Sequence, residues 1–181
     1  PAPDSFRVAF ATSAGPFQMT AHRAWSPAGV DRFYYLVRHG FYDGTCFFRV
    51  VEGFVAQFGL AGQPAIDAVW QDRGLPDEPV RRPNDRGRVA FARSGPASRT
   101  TQLFINLTGN RRLDTLTYNG VTGFPPIGEV TRGMDVVDRL YAGYGEAPQQ
   151  DAIRAAGHAY LQRQFPKLDC VTSAQITETW D

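Results

Sequence analysis

The chain has 181 residues, 43 % hydrophobic and 20 % charged, and 19 Lys and Arg against 18 Asp and Glu leave a net charge of +1. That size and balance fit one globular domain spanning 1–181, and the dispersed cations give no reason to expect nucleic acid or an anionic membrane as partner. No apolar run approaches the roughly 20 residues that cross a bilayer and no signal segment stands at the front, so a soluble protein is expected; the opening PAPDSF, without an initiator Met, favours an exported or periplasmic form over a cytoplasmic one.

From Phe6 to His22, FRVAFATSAGPFQMTAH alternates apolar and polar residues around an SAGP turn, which predicts a β-hairpin with each strand burying one face. SPAGVDRFYYLVRHG follows, with Ser26 as a candidate cap, Pro27 just inside, Val30, Phe33, Tyr34 and Val37 at helical spacing, and Gly40 closing the helix. FYDGTCFFRVVEGFVAQFG returns to strand composition, with YDGT as a turn and Gly53 as a bend. Gly, Pro and charge accumulate between Leu60 and Arg88 and predict a long, mostly irregular connection. Three strands are expected after it, in VAFARS, QLFINL and IGEVT.

Met134, Val137 and Leu140 then share one face of a second helix, a third is expected over roughly Asp151 to Gln164, and CVTSAQIT reads as a closing strand. About six to eight short strands with few helices favour a mainly β antiparallel barrel or sandwich over alternating α/β units. Cys46 and Cys170 lack the CxxC spacing of metal or dithiol sites and are expected as buried free thiols, a disulfide between them being the alternative. His22, His39 and His158 have no shared ligand spacing, are read as surface or helix-end residues, and give no metal site. The NLT sequon at Asn106 falls inside a predicted strand and is read as accidental.

The unusual residues are polar ones inside apolar strands. Counting by twos puts Arg49, Val55 and Gln57 on one face, and a bend at Gly53 brings Phe54 onto it. Downstream, Gln102 and Phe104 share parity in the same way. Arg49 could serve only as a structural ion pair with Glu52 or Asp43. A guanidinium among Phe and Val beside two carboxamides is better suited to holding a neutral polar backbone in an apolar groove.

FYDGTCFFRVVEGFVAQFG, FARSGPASRTTQLFINL and PIGEVTRGMDVVDRL also stand in the order and at the approximate spacings found in the cyclophilins, the peptidyl-prolyl isomerases. The chain resembles that family from about Phe6 to Leu140 and again in its last strand, and the stretch at about 143–169 looks like a C-terminal helical extension of a bacterial branch. The resemblance implies a closed eight-stranded antiparallel β-barrel capped by two α-helices, plus an extra C-terminal helix, with the groove on the barrel's outer face. It carries the catalytic arginine onto Arg49, with Phe54 and Gln57 beside it, and the floor of the proline pocket onto Phe104, with Gln102 and Leu113 as walls. Val55 stands where many members have Met; Ala92, Arg93 and Ser94 replace an Ala-Asn-Ala that binds substrate backbone; Phe124 falls at a frequent histidine; and Arg112 takes the place of a Trp that packs on cyclosporin, so binding of that inhibitor is expected to be weak.

The implied reaction is rotation about X–Pro bonds, whose barrier of roughly 18–20 kcal/mol comes from amide resonance. A donor aimed at the prolyl nitrogen lowers it without covalent intermediate, cofactor or metal. Expected partners are proline-containing peptides and unfolded protein clients, with the protein a monomer assisting folding. A proline-recognising chaperone or binding module with incidental catalysis is the alternative.

Overall fold

The computed structural model describes all 181 residues. Strands β1 (Ser5–Thr12) and β2 (Gly15–His22) form the expected hairpin, paired in continuous register from Ser5 opposite His22 to Thr12 opposite Gly15. Helix α1 (Pro27–Arg38) follows and buries Val30, Phe33, Leu36 and Val37. Ser26 occupies the cap position, but its hydroxyl donates to Glu78, and it is the Glu78 carboxylate that accepts the first free helix amides, Ala28 N at 2.8 Å and Gly29 N at 3.3 Å.

Next come β3 (Arg49–Val51), β4 (Val55–Phe58) and α2 (Pro64–Trp70), a short helix inside the connection read from sequence as irregular. Pro64 opens it, and Asp67 within it is buried with its carboxylate accepting from Ala61 N and Gly62 N. The sheet continues with β5 (Arg88–Phe91), β6 (Leu103–Asn106), a small separate hairpin of β7 (Thr117–Tyr118) and β8 (Val121–Thr122), and β9 (Pro126–Arg132). Helix α3 (Met134–Asp138) is shorter than the sequence pattern suggested, although Val136, Val137 and Leu140 are all buried.

The single helix expected at about Asp151 to Gln164 is two, α4 (Gln150–Ala156) and α5 (His158–Gln164). Gly157 breaks it at φ 63°, where its Cα lies so close to Gly62 that a Cβ would meet that carbonyl oxygen at 2.3 Å. Strand β10 (Val171–Trp180) closes the chain's pairing against β1. No helix is long and apolar enough to cross a membrane.

Eight strands make one antiparallel sheet in the order β10-β1-β2-β9-β5-β6-β4-β3. Alternate residues from these strands, including Phe6, Val8, Phe10, Phe17, Met19, Phe58, Phe91, Leu103, Ile105 and Ile127, meet in one apolar cluster onto which α1 packs. The approaches to the two edge strands are hydrogen-bonded: Gly44 N donates to Val171 O and Val171 N to Thr45 O, both at 2.7 Å, and Phe47 N to Asp169 O at 2.9 Å.

Those bonds bring Cys46 directly opposite Cys170, and the two form a disulfide. The free thiols expected from spacing alone are thus corrected: antiparallel register makes neighbours of two cysteines 124 positions apart. The bridge borders a second apolar cluster, in which Ile153 of α4 and Leu161 of α5 pack against Phe48 and Leu60. His39 lies at the C-terminal end of α1 and His158 at the start of α5, while His22 ends β2, half-buried beside Ser5 and Trp25.

Candidate active site

Residue parity in four short strands assembles one row of side chains. Arg49 of β3 lies opposite Gln57 of β4, Gln57 opposite Phe104 of β6, and Phe104 opposite Ala90 of β5. Gly53, at φ 68°, turns the chain between β3 and β4 and leaves Phe54 at the rim of the same face. Val55, Ala90, Phe104 and Leu113 form an apolar patch bordered by Phe54, Ala92 and Phe124, with the Phe124 ring set edge-on to Phe104 at 5.8 Å. The patch floors a groove of about 540 Å³, a volume suited to a short peptide segment.

All eleven residues singled out from sequence line it. Arg49, Phe54, Val55 and Gln57 stand on one side; Gln102, Phe104 and Leu113 form the floor and far wall; Ala92, Arg93, Ser94 and Phe124 complete the other end. Ala92 is pinned by its amide to Gln102 O at 2.9 Å, and Ser94 N donates to Ser98 Oγ at 2.9 Å. The Arg93 guanidinium lies 4.1 Å from the centre of the Phe124 ring and donates to the carbonyls of Val121 and Gly123, so it clamps the loop that presents Phe124. Burial lowers its pKa.

The acid partner of Arg49 is neither Glu52 nor Asp43. Its Nε donates to Glu146 Oε1 at 3.1 Å, Nη2 donates to the same oxygen, and Nη1 donates to Gln57 Oε1 at 3.1 Å. Three of the guanidinium's five N–H groups are thereby engaged and two remain for a ligand. Gln57 Nε2 in turn donates to Gln102 Oε1 at 2.8 Å, and Gln102 Nε2 to Gln150 Oε1 at 3.0 Å. Both ends of this chain of polar side chains, together with the groove-lining Arg154, come from the C-terminal extension. Their contacts span 97 and 48 positions, so no local pattern could have revealed them.

A second set missed from sequence lies beneath the apolar patch. Asn110 Nδ2 donates to Phe54 O and to Asn106 Oδ1, both at 2.9 Å; Asn106 Nδ2 donates to Asn84 Oδ1 at 3.1 Å; and Asn84 Nδ2 donates to Phe124 O at 2.8 Å. Three buried asparagines therefore tie the backbones of Phe54 and Phe124 together under the pocket floor. Asn106, the sequon residue, is fully buried and its amide is committed to this network.

Chemically, the groove pairs an apolar slot for a small ring with a fixed cation that keeps free donors at its edge. Comparison with known proteins agrees with that reading. A family model described as cyclophilin type peptidyl-prolyl cis-trans isomerase/CLD matches residues 7–157. The chain is 39 % identical over 136 residues to a peptidyl-prolyl cis-trans isomerase of Streptomyces antibioticus, covering 71 % of this chain and 79 % of that one. It is 33 % identical over 175 residues to peptidyl-prolyl cis-trans isomerase B of Escherichia coli (strain K12), covering 91 % and 94 %. A Cryptosporidium parvum cyclophilin-type isomerase, solved in the presence of the dipeptide Ala-Pro, superposes with TM-score 0.67 at 18 % identity over 96 % of this chain and 99 % of that one, a likeness of fold. With residues 7–157 matched and these relatives aligned over most of its length, the chain belongs to the cyclophilin-type peptidyl-prolyl cis-trans isomerases.

Proposed function

We propose that this isomerase rotates X–Pro bonds by selective stabilisation of the twisted state, with Arg49 as the donor to the prolyl nitrogen. The planar ground-state nitrogen has its lone pair in the amide π system and accepts no hydrogen bond; the pyramidal nitrogen of the twisted state does. A donor waiting at that position stabilises only the transition state. The observation that carries this reading is the pair of unengaged Arg49 N–H groups beside the Phe54–Phe104 slot. The proline ring would sit against Phe104, Leu113 and Phe124, and Gln57 and Gln102 would face the moving carbonyl. Ala92, Arg93 and Ser94 would hold the peptide backbone.

The substrates we infer are proline-containing peptides and segments of unfolded proteins, supported by the Ala-Pro dipeptide named with the Cryptosporidium relative. Free donors on Arg49 favour catalysis over a binding module alone. We further infer that the sheet closes as a barrel with the groove outside, supported by the backbone bonds between 44–47 and 169–171, and that 1–181 acts as one monomeric domain with its extension docked. The Cys46–Cys170 bridge supports an oxidising, exported setting.

A protease-coupled assay on a short X–Pro peptide tests the mechanism. Arg49→Ala is expected to lower kcat/KM by about 10²- to 10³-fold, the scale of one preorganised donor. Arg49→Lys should be nearly as damaging, because an ammonium lacks the planar fork. Near-normal activity in Arg49→Ala would sink the assignment.

A further inference from the structure

We infer that Glu146, in the extension beyond the groove-forming strands, is a positioning residue for the isomerase reaction, acting through Arg49. The inference rests on the assignment of Arg49 as the donor. An arginine side chain has several rotatable bonds, and the hydrogen bond to Gln57 Oε1 at 3.1 Å fixes one nitrogen only. The Glu146 carboxylate takes the Nε and Nη2 edge, which sets the plane of the guanidinium and turns its two remaining N–H groups away from the extension.

The other end of the polar chain is held from the same segment. Gln57 presents its oxygen to Arg49 because its amide nitrogen is occupied by Gln102, whose own nitrogen is occupied by Gln150. The segment that carries Glu146 and Gln150 is itself fixed: Pro148 is buried, and Gln149 N donates to Tyr160 Oη at 3.0 Å. Stability is not what the ion pair supplies. The Glu146 side chain is 63 % exposed, and a pair that open to water contributes little to folding.

The test is a double-mutant cycle on the full chain, read with steady-state kinetics on a short X–Pro peptide. Glu146→Ala is expected to lower kcat about 5- to 10-fold with KM unchanged, the order found for groups coupled in one hydrogen-bond network. Glu146→Gln, which keeps an acceptor oxygen, should recover most of the loss. In an Arg49→Ala background, Glu146→Ala should change nothing further. As an independent signature, the Arg49 Nε–H resonance should be sharp in the parent protein and broadened in Glu146→Ala. Unchanged kcat in Glu146→Ala overturns the inference while leaving Arg49 in place. An equal loss in the Arg49→Ala background overturns it too, since Glu146 would then act elsewhere. Near-normal turnover in Arg49→Ala removes the donor assignment itself and this inference with it.

Discussion

Two arginine–glutamate pairs in this molecule do opposite things with the same chemistry. Arg99 is fully buried, its side chain 1 % exposed, and its guanidinium donates to Ser26 Oγ at 3.2 Å, Pro76 O at 2.8 Å and Glu78 Oε2 at 3.0 Å. Glu78 continues the connection by accepting from Ser26 and from the first amides of α1, so the pair fastens the long 60–88 connection to the start of that helix. Arg49 is 27 % exposed, its partner Glu146 more so, and it keeps N–H groups free at the edge of the groove. A buried guanidinium cannot turn to water, so Arg99 directs its donors to protein acceptors, although its Nε is left without a partner, and is committed to the fold; a rim guanidinium can hold donors in reserve because water satisfies them meanwhile.

The contrast can be broken most severely at Glu78. Glu78→Gln removes the counter-charge of a buried guanidinium and should cost about 3–5 kcal/mol in urea unfolding. Burial pushes the Glu78 carboxyl up, but hydrogen bonds from Ser26, Ala28 and Arg99, with the Arg99 charge, bring it below its ordinary value of 4.5. Its contribution is therefore complete above that value and is lost as pH falls through the lower native one; Glu78→Gln should lose this acid limb of the stability profile. Equal stability of the two proteins at neutral pH, with no convergence needed as pH falls, would mean that Arg99 finds its stabilisation elsewhere.

At the other pair the expected effect falls on turnover alone. Arg49→Ala should lose activity about 10²- to 10³-fold while its thermal midpoint stays at the parent value, and a large drop in midpoint would make Arg49 a second structural arginine. Opening the Cys46–Cys170 bridge comes next: a Cys46→Ala/Cys170→Ala variant should lose about 2–4 kcal/mol of stability. Before that, alkylation without reductant followed by mass measurement should find no labelled thiol; two labels would refute the bridge. The smallest effect concerns Arg112, whose guanidinium lies 5.3 Å from the centre of the Phe54 ring. Arg112→Trp should tighten cyclosporin binding by about 1–3 kcal/mol, roughly 5- to 150-fold, by calorimetry, and no change would mean that this position does not face the inhibitor.

What could be read in advance follows from range. Strand parity is local, so Arg49, Gln57 and Phe104 could be set on one face from the sequence, and the bend that delivers Phe54 was visible in Gly53. The resemblance carried the rest of the groove. Contacts that depend on how distant segments dock had no such signal. Glu146 and Gln150 reach the groove only because Ile153 and Leu161 seat the extension on Phe48 and Leu60. Arg99, in RTTQLFINL, carries no mark that separates it from Arg49. Helix α2 was hidden because its seven residues sit among glycine, proline and charge, and the split at Gly157 arises from close approach to Gly62, a tertiary fact.

The pairing of β1 with β10 has a consequence for biosynthesis. Phe6, Val8 and Phe10 are translated well before the strand that covers the open edge of β1, which runs from Val171 to Trp180, and the register from Ser5 opposite Trp180 to Thr12 opposite Val171 joins segments far apart in the sequence. Pairing at such separation requires closing a very large loop before any of its contacts form. The β1–β2 hairpin must therefore wait with one edge unprotected until β10 has been made. During that interval the hairpin is exposed to aggregation along the open edge of β1 and depends on whatever shields unpaired strands in the compartment where it is made.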